Sequence, residues 1–183
     1  MLQVVTGVAK GRKLKAPKGQ GVRPTTGRVK KAIFDVLGDV GGKRVLDIFA
    51  GSGGLGIEAI SRGAKEAVFI DKSPKACEII AENLTLCGFS DRASIICEDY
   101  KKALRQLKDK GKRFELILAD PPYRSFEEED LNAIVDEAEE LMEKDALLVI
   151  GYKKAFRVKP LRFTYKSYPY GDATITFLRR EER

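Results

Sequence analysis

From Arg44 onward the chain alternates between short apolar runs and longer stretches whose apolar residues recur every three or four positions. The runs RVLDIF, EAVFID, ASIICE, FELILA and ALLVIG have the length and composition of buried strands. Between them, Leu55 to Arg62, Pro74 to Leu86, a short piece near Lys102 to Lys108, and Glu127 to Glu143 are predicted helices. Strands separated by helices pair in parallel through right-handed crossovers. The tail breaks this rhythm. LRFTYKSY and DATITFLRR are joined by PYG with no room for a helix, which predicts an antiparallel hairpin at the sheet edge. Upstream, LQVVTGVAKGRKLKAP reads as two short strands around a glycine turn and KGQGVRPTT as a loop. Val29, Ile33, Val36 and Leu37 then fall at helical spacing, with Thr26 as N-cap and Gly38 as the stop. The expected fold is α/β: a doubly wound, mostly parallel seven-stranded Rossmann-like sheet with a C-terminal antiparallel hairpin. A small N-terminal extension of hairpin and helix, residues 1–40, precedes the main domain, residues 41–183.

At 183 residues there is enough chain for one well-buried core and too little for two ordinary domains. No apolar run approaches a membrane span, and the N-terminus lacks the apolar stretch and cleavage site of a signal peptide. A cytoplasmic location without membrane attachment is therefore expected. Cys77, Cys87 and Cys97 have no CxxC spacing and read as small core residues of a reducing compartment. Histidine is absent altogether. His-based triads, imidazole proton shuttles and the common His zinc sites are excluded, and no metal site is expected. Chemistry must come from carboxylates, backbone, Tyr, Lys or a cofactor.

The net charge of +7 is unevenly placed. Met1 to Phe34 carries nine Lys or Arg and no acid, while the remainder holds 25 basic and 27 acidic residues. A concentrated positive field of this kind suits a phosphate backbone.

Candidate chemistry lies at the strand ends. In DIFAGSGGLGIEAI, Gly51, Gly53 and Gly56 follow a strand and open a helix, where a backbone can approach a ligand and the helix N-terminus is electropositive. Asp71 ends the next strand, 24 residues after Asp47, and is placed to accept ribose hydroxyls. Asp99, after the third strand, can receive an adenine amino group with Tyr100 beside the ring. Asp47 either fixes the glycine turn or meets a cationic amine. These acids occupy successive strand C-termini, where open α/β sheets bind ligands.

The fourth strand ends in Asp120, Pro121, Pro122 and Tyr123. Two prolines hold the preceding residues extended and remove two N–H donors, so the turn presents acceptors: the Asp120 carboxylate and the Pro121 carbonyl. A planar exocyclic NH2 fits between them, with Tyr123 stacked on the attached ring. An aromatic NH2 is a poor nucleophile, and an ordinary aspartate is too weak a base to deprotonate it first. Accepting its hydrogen bonds instead orients the nitrogen and stabilises positive charge developing during methyl attack. The electrophile this requires is a sulfonium methyl donor.

With these residues the chain resembles the class I S-adenosylmethionine-dependent methyltransferases, in which a [D/N]PP[Y/F] turn marks methylation of amino nitrogens. GRKLKAP, GVRPTTGRVKKAIFDVL, LDIFAGSGGLGIEAISRGA, ILADPPY and YGDATITF together resemble the RsmD family of 16S rRNA guanine-N2 methyltransferases, from about Gly11 to Arg180. The resemblance implies a guanine amino group as acceptor and S-adenosylmethionine as donor, with S-adenosylhomocysteine as product. It implies that Asp47, Phe49, Ala50, Gly51, Ser52, Gly53 and Gly56 surround the donor's methionine portion. Asp71 and Lys72 would take the ribose, and Asp99 and Tyr100 the adenine. Asp120 to Tyr123 would hold the acceptor amine. Arg12, Lys13, Arg23, Thr25 and Arg28 would face RNA, with RPTT over the cofactor or the RNA entrance. The implied partner is 16S rRNA, free or within a small-subunit assembly intermediate, and a monomer is expected. Two departures stand out: Gly151 occupies a position where the family leads one to expect a glutamate, and almost no sequence remains for a helix between the fifth and sixth strands. Alternatives are a DNA adenine or cytosine N-methyltransferase, a nicotinamide-dependent oxidoreductase using Gly51 to Gly56 and Asp71, and a non-catalytic RNA-binding module using the basic arm.

Overall fold

The computed structural model describes residues 1–18, 25–159 and 162–180. Helix α1 (Gly27–Leu37) is capped as its sequence predicts: the Thr26 hydroxyl accepts from Val29 N–H, and Gly38, with a positive φ of 71°, ends it. There follow β1 (Arg44–Ile48), α2 (Gly54–Ser61), β2 (Glu66–Asp71), α3 (Pro74–Cys87) and β3 (Ala93–Cys97). The second half contains α4 (Tyr100–Asp109), β4 (Phe114–Ala119), α5 (Glu128–Glu139), β5 (Met142–Lys153), β6 (Phe163–Tyr170) and β7 (Ala173–Arg180).

The seven strands form one sheet in the order β3-β2-β1-β4-β5-β7-β6. The first five are parallel, and β7 pairs antiparallel with both β5 and β6. The order reverses between β1 and β4, which opens a crevice at their C-terminal ends. Alternating side chains divide the core in two. Leu46, Ile48 and Ile117 pack with α4 and α5, while Val45, Leu116 and Leu118 pack with α1, α2 and α3. Among the described residues, no helix links β5 to β6, in keeping with the short sequence there.

The cysteines lie outside the core expected for them, Cys77 and Cys87 half-buried and Cys97 exposed, because none faces fully inward from its element. Strand β6 continues through Pro169 and Tyr170, which pair with β7, so the expected PYG turn shifts towards Gly171. Three further boundaries differ from expectation. The acid-rich helix stops at Glu139 because Met142 already pairs with Phe114, lengthening β5 at the helix's expense; the ladder shifts register between Phe114 and Leu116. Helix α4 starts at Tyr100, since Asp99 caps it. The N-terminal hairpin is reduced to one antiparallel bridge, Gln3 with Lys13, helped by Val4 N–H to Arg12 O at 3.0 Å and Leu14 N–H to Leu2 O at 2.9 Å.

Turns of the extension add Gly11 N–H to Val4 O at 2.8 Å and Arg12 N–H to Ala9 O at 3.0 Å, and further backbone groups bond to the body. Glu58 is fully buried on α2 and accepts from Val5 N–H at 2.9 Å and Thr6 N–H at 3.1 Å. Ser61 accepts from Ala9 N–H and donates to Thr6 O. Asn83, on α3, accepts from Lys15 N–H and donates to both Lys15 O and Ser52 O. Lys30 of α1 is buried as well, 3.7 Å from Glu58, with its ammonium donating to Gln3 O at 2.7 Å. Burial lowers the Lys30 pKa, and the neighbouring Glu58 opposes that shift. Every residue of α2 is buried because the extension covers the face that the sheet leaves open.

Candidate active site

The glycine turn begins at Phe49, whose φ of 60° is unusual for a side chain of that size. Ala50 N–H donates to Ile70 O at 2.9 Å, tying the corner to β2. Gly51 N–H donates to Asp71 Oδ2 at 2.9 Å, and the other Asp71 oxygen accepts from Ser73 N–H. A Cβ at Gly51 would meet nothing within 4 Å, so open space lies over this turn. Gly56 is small for a different reason: a Cβ there would sit 2.4 Å from the Phe69 ring and 3.1 Å from Asp47 Oδ2. It lets α2 close onto β1 and β2, while Ser52 and Gly53 are buried beneath the turn.

Asp47 is buried and accepts from Gly56 N–H at 2.9 Å. Its carboxyl is pushed up to about 7, chiefly by burial, with the Gly56 N–H opposing the rise and the charges of Asp120 and Asp71 adding to it. It both holds the turn and is charge-coupled to the acids of the crevice.

Asp99 is half-buried, and its Oδ1 accepts from Lys101 N–H to cap α4. Tyr100 is buried 5.0 Å from the Phe49 ring, and Phe126 stands edge-on to Phe49 at 5.1 Å. This aromatic group joins the glycine turn, the end of β3 and the loop after the double proline. Burial raises the Tyr100 hydroxyl pKa to about 12, which keeps it neutral. Sequence reasoning missed Phe126: it lies outside any motif, and only the fold carries it to Phe49. Lys72 is exposed.

Register brings the double-proline corner to the same crevice. Asp47 pairs with Leu118 across β1 and β4, so Asp120, two residues on, faces the side that Asp47 faces. The pocket around Asp120 includes Leu55 in the first turn of α2, together with Thr25, Ile33, Val149, Gly151 and Ile175. Thr25 donates its hydroxyl to Asp120 Oδ2 at 2.8 Å. Burial raises the Asp120 pKa and the Thr25 hydroxyl opposes the rise. Pro121 is buried, Pro122 exposed and Tyr123 half-buried; the Pro122 carbonyl closes a turn by accepting from Ser125 N–H at 3.2 Å.

Gly151 has a structural reason. It lies within β5 opposite Ile175, and a Cβ there would stand 2.9 Å from Asp120 Oδ1 and 3.1 Å from Ile175 Cδ1. A side chain at this position would press on the Asp120 carboxylate and on Ile175, so one of them would have to shift.

Arg12, Lys13 and Arg28 are exposed, as are Lys10 and Lys18, while Arg23 lies outside the described residues. Lys30 is withdrawn into the core, and Lys15 and Lys31 pair with Glu82 and Asp35. The outward basic surface is therefore narrower than the count of nine.

A mostly parallel sheet of this order, closed by an antiparallel C-terminal pair and carrying an acid-lined crevice beside its glycine turn, defines the class I methyltransferase architecture. The model for conserved hypothetical protein 95 matches residues 2–179, and the chain belongs to that family, the RsmD family. YlbH of Bacillus subtilis is 39% identical over 154 residues, covering 84% of this chain and 83% of the relative. Escherichia coli ribosomal RNA small subunit methyltransferase D is 34% identical over 137 residues, covering 74% of this chain and 67% of the relative. Among solved structures, a hypothetical protein of Thermus thermophilus superposes with a TM-score of 0.83 at 31% identity, covering 97% of this chain and 98% of the other.

Proposed function

We propose that the protein transfers a methyl group from S-adenosylmethionine to the exocyclic N2 amine of a guanine in 16S rRNA, releasing S-adenosylhomocysteine and a proton. The observation that carries this reading is the placement of Asp120 on the face of Asp47, one strand away from a glycine turn with open space above it. The Escherichia coli relative, whose name gives a small-subunit rRNA methyltransferase, supplies the substrate class.

The residues present fit the donor. Acids at Asp47 and Asp71 suit its cationic methionine end and its ribose hydroxyls, Gly51 leaves room for close approach, and Tyr100 and Phe126 offer apolar faces near an adenine. S-adenosylmethionine, when bound, supplies an electrophilic methyl group. Asp120 accepts a hydrogen bond from the guanine amine, aligns its nitrogen and offsets the positive charge that grows on it. The proton leaves once the methylated nitrogen has become acidic, so Asp120 need not act as a strong base. Arg12, Lys13 and Arg28 hold the RNA backbone, Asp99 and Lys72 flank the nucleoside end, and the enzyme acts as a cytoplasmic monomer on free rRNA or a small-subunit assembly intermediate.

Incubating the protein with labelled S-adenosylmethionine and unmethylated 16S rRNA, then digesting to nucleosides, tests the reaction. N2-methylguanosine is the expected product; a different methylated base, or none, refutes it. Asp120→Ala should lower kcat by about 100-fold or more, with cofactor affinity nearly unchanged.

A further inference from the structure

Thr25 stands just ahead of α1, where the extension passes onto the body, and its hydroxyl reaches Asp120 across 95 residues of sequence. The walls around that pair are otherwise apolar: Ile33, Leu55, Leu118, Val149 and Ile175. On the other side of the carboxylate, Oδ1 rests against Gly151, where a side chain would intrude. A carboxylate in such surroundings is costly to leave without a donor, and a short aspartate side chain has two torsions to fix before its oxygens can serve as aimed acceptors. A carboxylate has about four acceptor positions, so one bond from Thr25 leaves capacity for an amine.

We infer that Thr25 is a positioning residue for methyl transfer: its hydroxyl holds the Asp120 carboxylate in the orientation that meets the incoming amine, making the N-terminal extension part of the catalytic assembly. This rests on the proposed role of Asp120 and replaces a purely RNA-facing role for Thr25. The pKa balance at Asp120 agrees, since the hydroxyl favours the ionised form against burial.

Thr25→Val keeps the side-chain shape and removes the donor, while Thr25→Ser keeps the donor. With 16S rRNA as acceptor, Thr25→Val should lower kcat by about 10- to 100-fold, the loss of one hydrogen bond to a charged group. The affinity for S-adenosylmethionine and the KM for RNA should stay near wild type, and Thr25→Ser should recover most of the turnover. Wild-type kcat in Thr25→Val, a loss confined to the RNA KM, or a Ser variant as slow as the Val variant would overturn the assignment. Asp120→Ala is measured alongside. If Asp120→Ala turns over normally, the underlying reading falls and this one with it. A slow Asp120→Ala beside a fast Thr25→Val removes only the role of Thr25.

Discussion

Asp47→Asn offers a test whose magnitude follows from burial. The Asp47 carboxyl titrates at about 7 in the fold against an ordinary 3.8, chiefly because it is buried. Between those values the folded protein retains a proton that the unfolded chain has released, so native stability falls as pH rises through that window. Once pH passes 7, the full difference is reached, about 4 kcal/mol at 1.36 kcal/mol per pH unit. An asparagine can still accept from Gly56 N–H, though burying its amide has a cost of its own. The variant should therefore be more stable than wild type by about 2–4 kcal/mol at pH 8, a melting temperature higher by roughly 5–15 °C. That advantage should shrink towards zero near pH 4. Thermal or urea unfolding across this range measures it directly. A difference that is flat with pH, or a variant less stable at pH 8, would refute the account of Asp47 as a charge held in the core at a cost. The same substitution should weaken S-adenosylmethionine binding, because an acid strained by burial is relieved by a cationic ligand.

The remaining predictions concern neighbouring parts of the site. In wild type, calorimetry should show cofactor affinity rising as pH goes from about 6 to about 8, because ionised Asp47 attracts a cation, and then levelling off. Asp71→Ala should loosen the glycine turn along with the ribose contacts, lowering cofactor affinity by about 10-fold or more through two lost charge-assisted bonds; unchanged affinity would contradict it. Gly151→Ala should destabilise the protein by about 1–3 kcal/mol and slow turnover, since the added methyl presses on Asp120 and Ile175. Neutralising Arg12, Lys13 and Arg28 together should flatten the salt dependence of RNA binding by about 0.7 in log–log slope for each phosphate contact removed.

Much of this architecture could be read from local chemistry. Thr26 and Gly38 bracket α1 because capping depends on a few adjacent residues, and the strand-helix rhythm follows from burial on both sheet faces. Where the reading failed, a distant partner had decided the outcome. EEDLNAIVDEAEELMEKD is helical in composition to its end, yet Met142 leaves the helix because Phe114 offers it a ladder position. Gly151 looks like a lost acid in sequence and becomes intelligible only when register sets it beside Asp120. Glu58 sits within a motif read for its glycines, and nothing nearby reveals that Val5 and Thr6 will cross 50-odd residues to meet its carboxylate. The corner at Asp120, by contrast, is marked locally, because two adjacent prolines end the strand there.

The stitching of the first residues onto α2 and α3 constrains how this enzyme can be altered or inherited. Glu58, Ser61 and Asn83 lend their polar atoms to a stretch of chain that lacks a full ladder of its own. Cutting that stretch away would remove two donors from Glu58, leaving Arg62 and Lys30 to hold its carboxylate, and would leave Asn83 with only its bond to Ser52 O. Grafting one from a relative would require matching acceptors on two helices of the recipient. The arm is therefore no interchangeable attachment: arm and helices must change together.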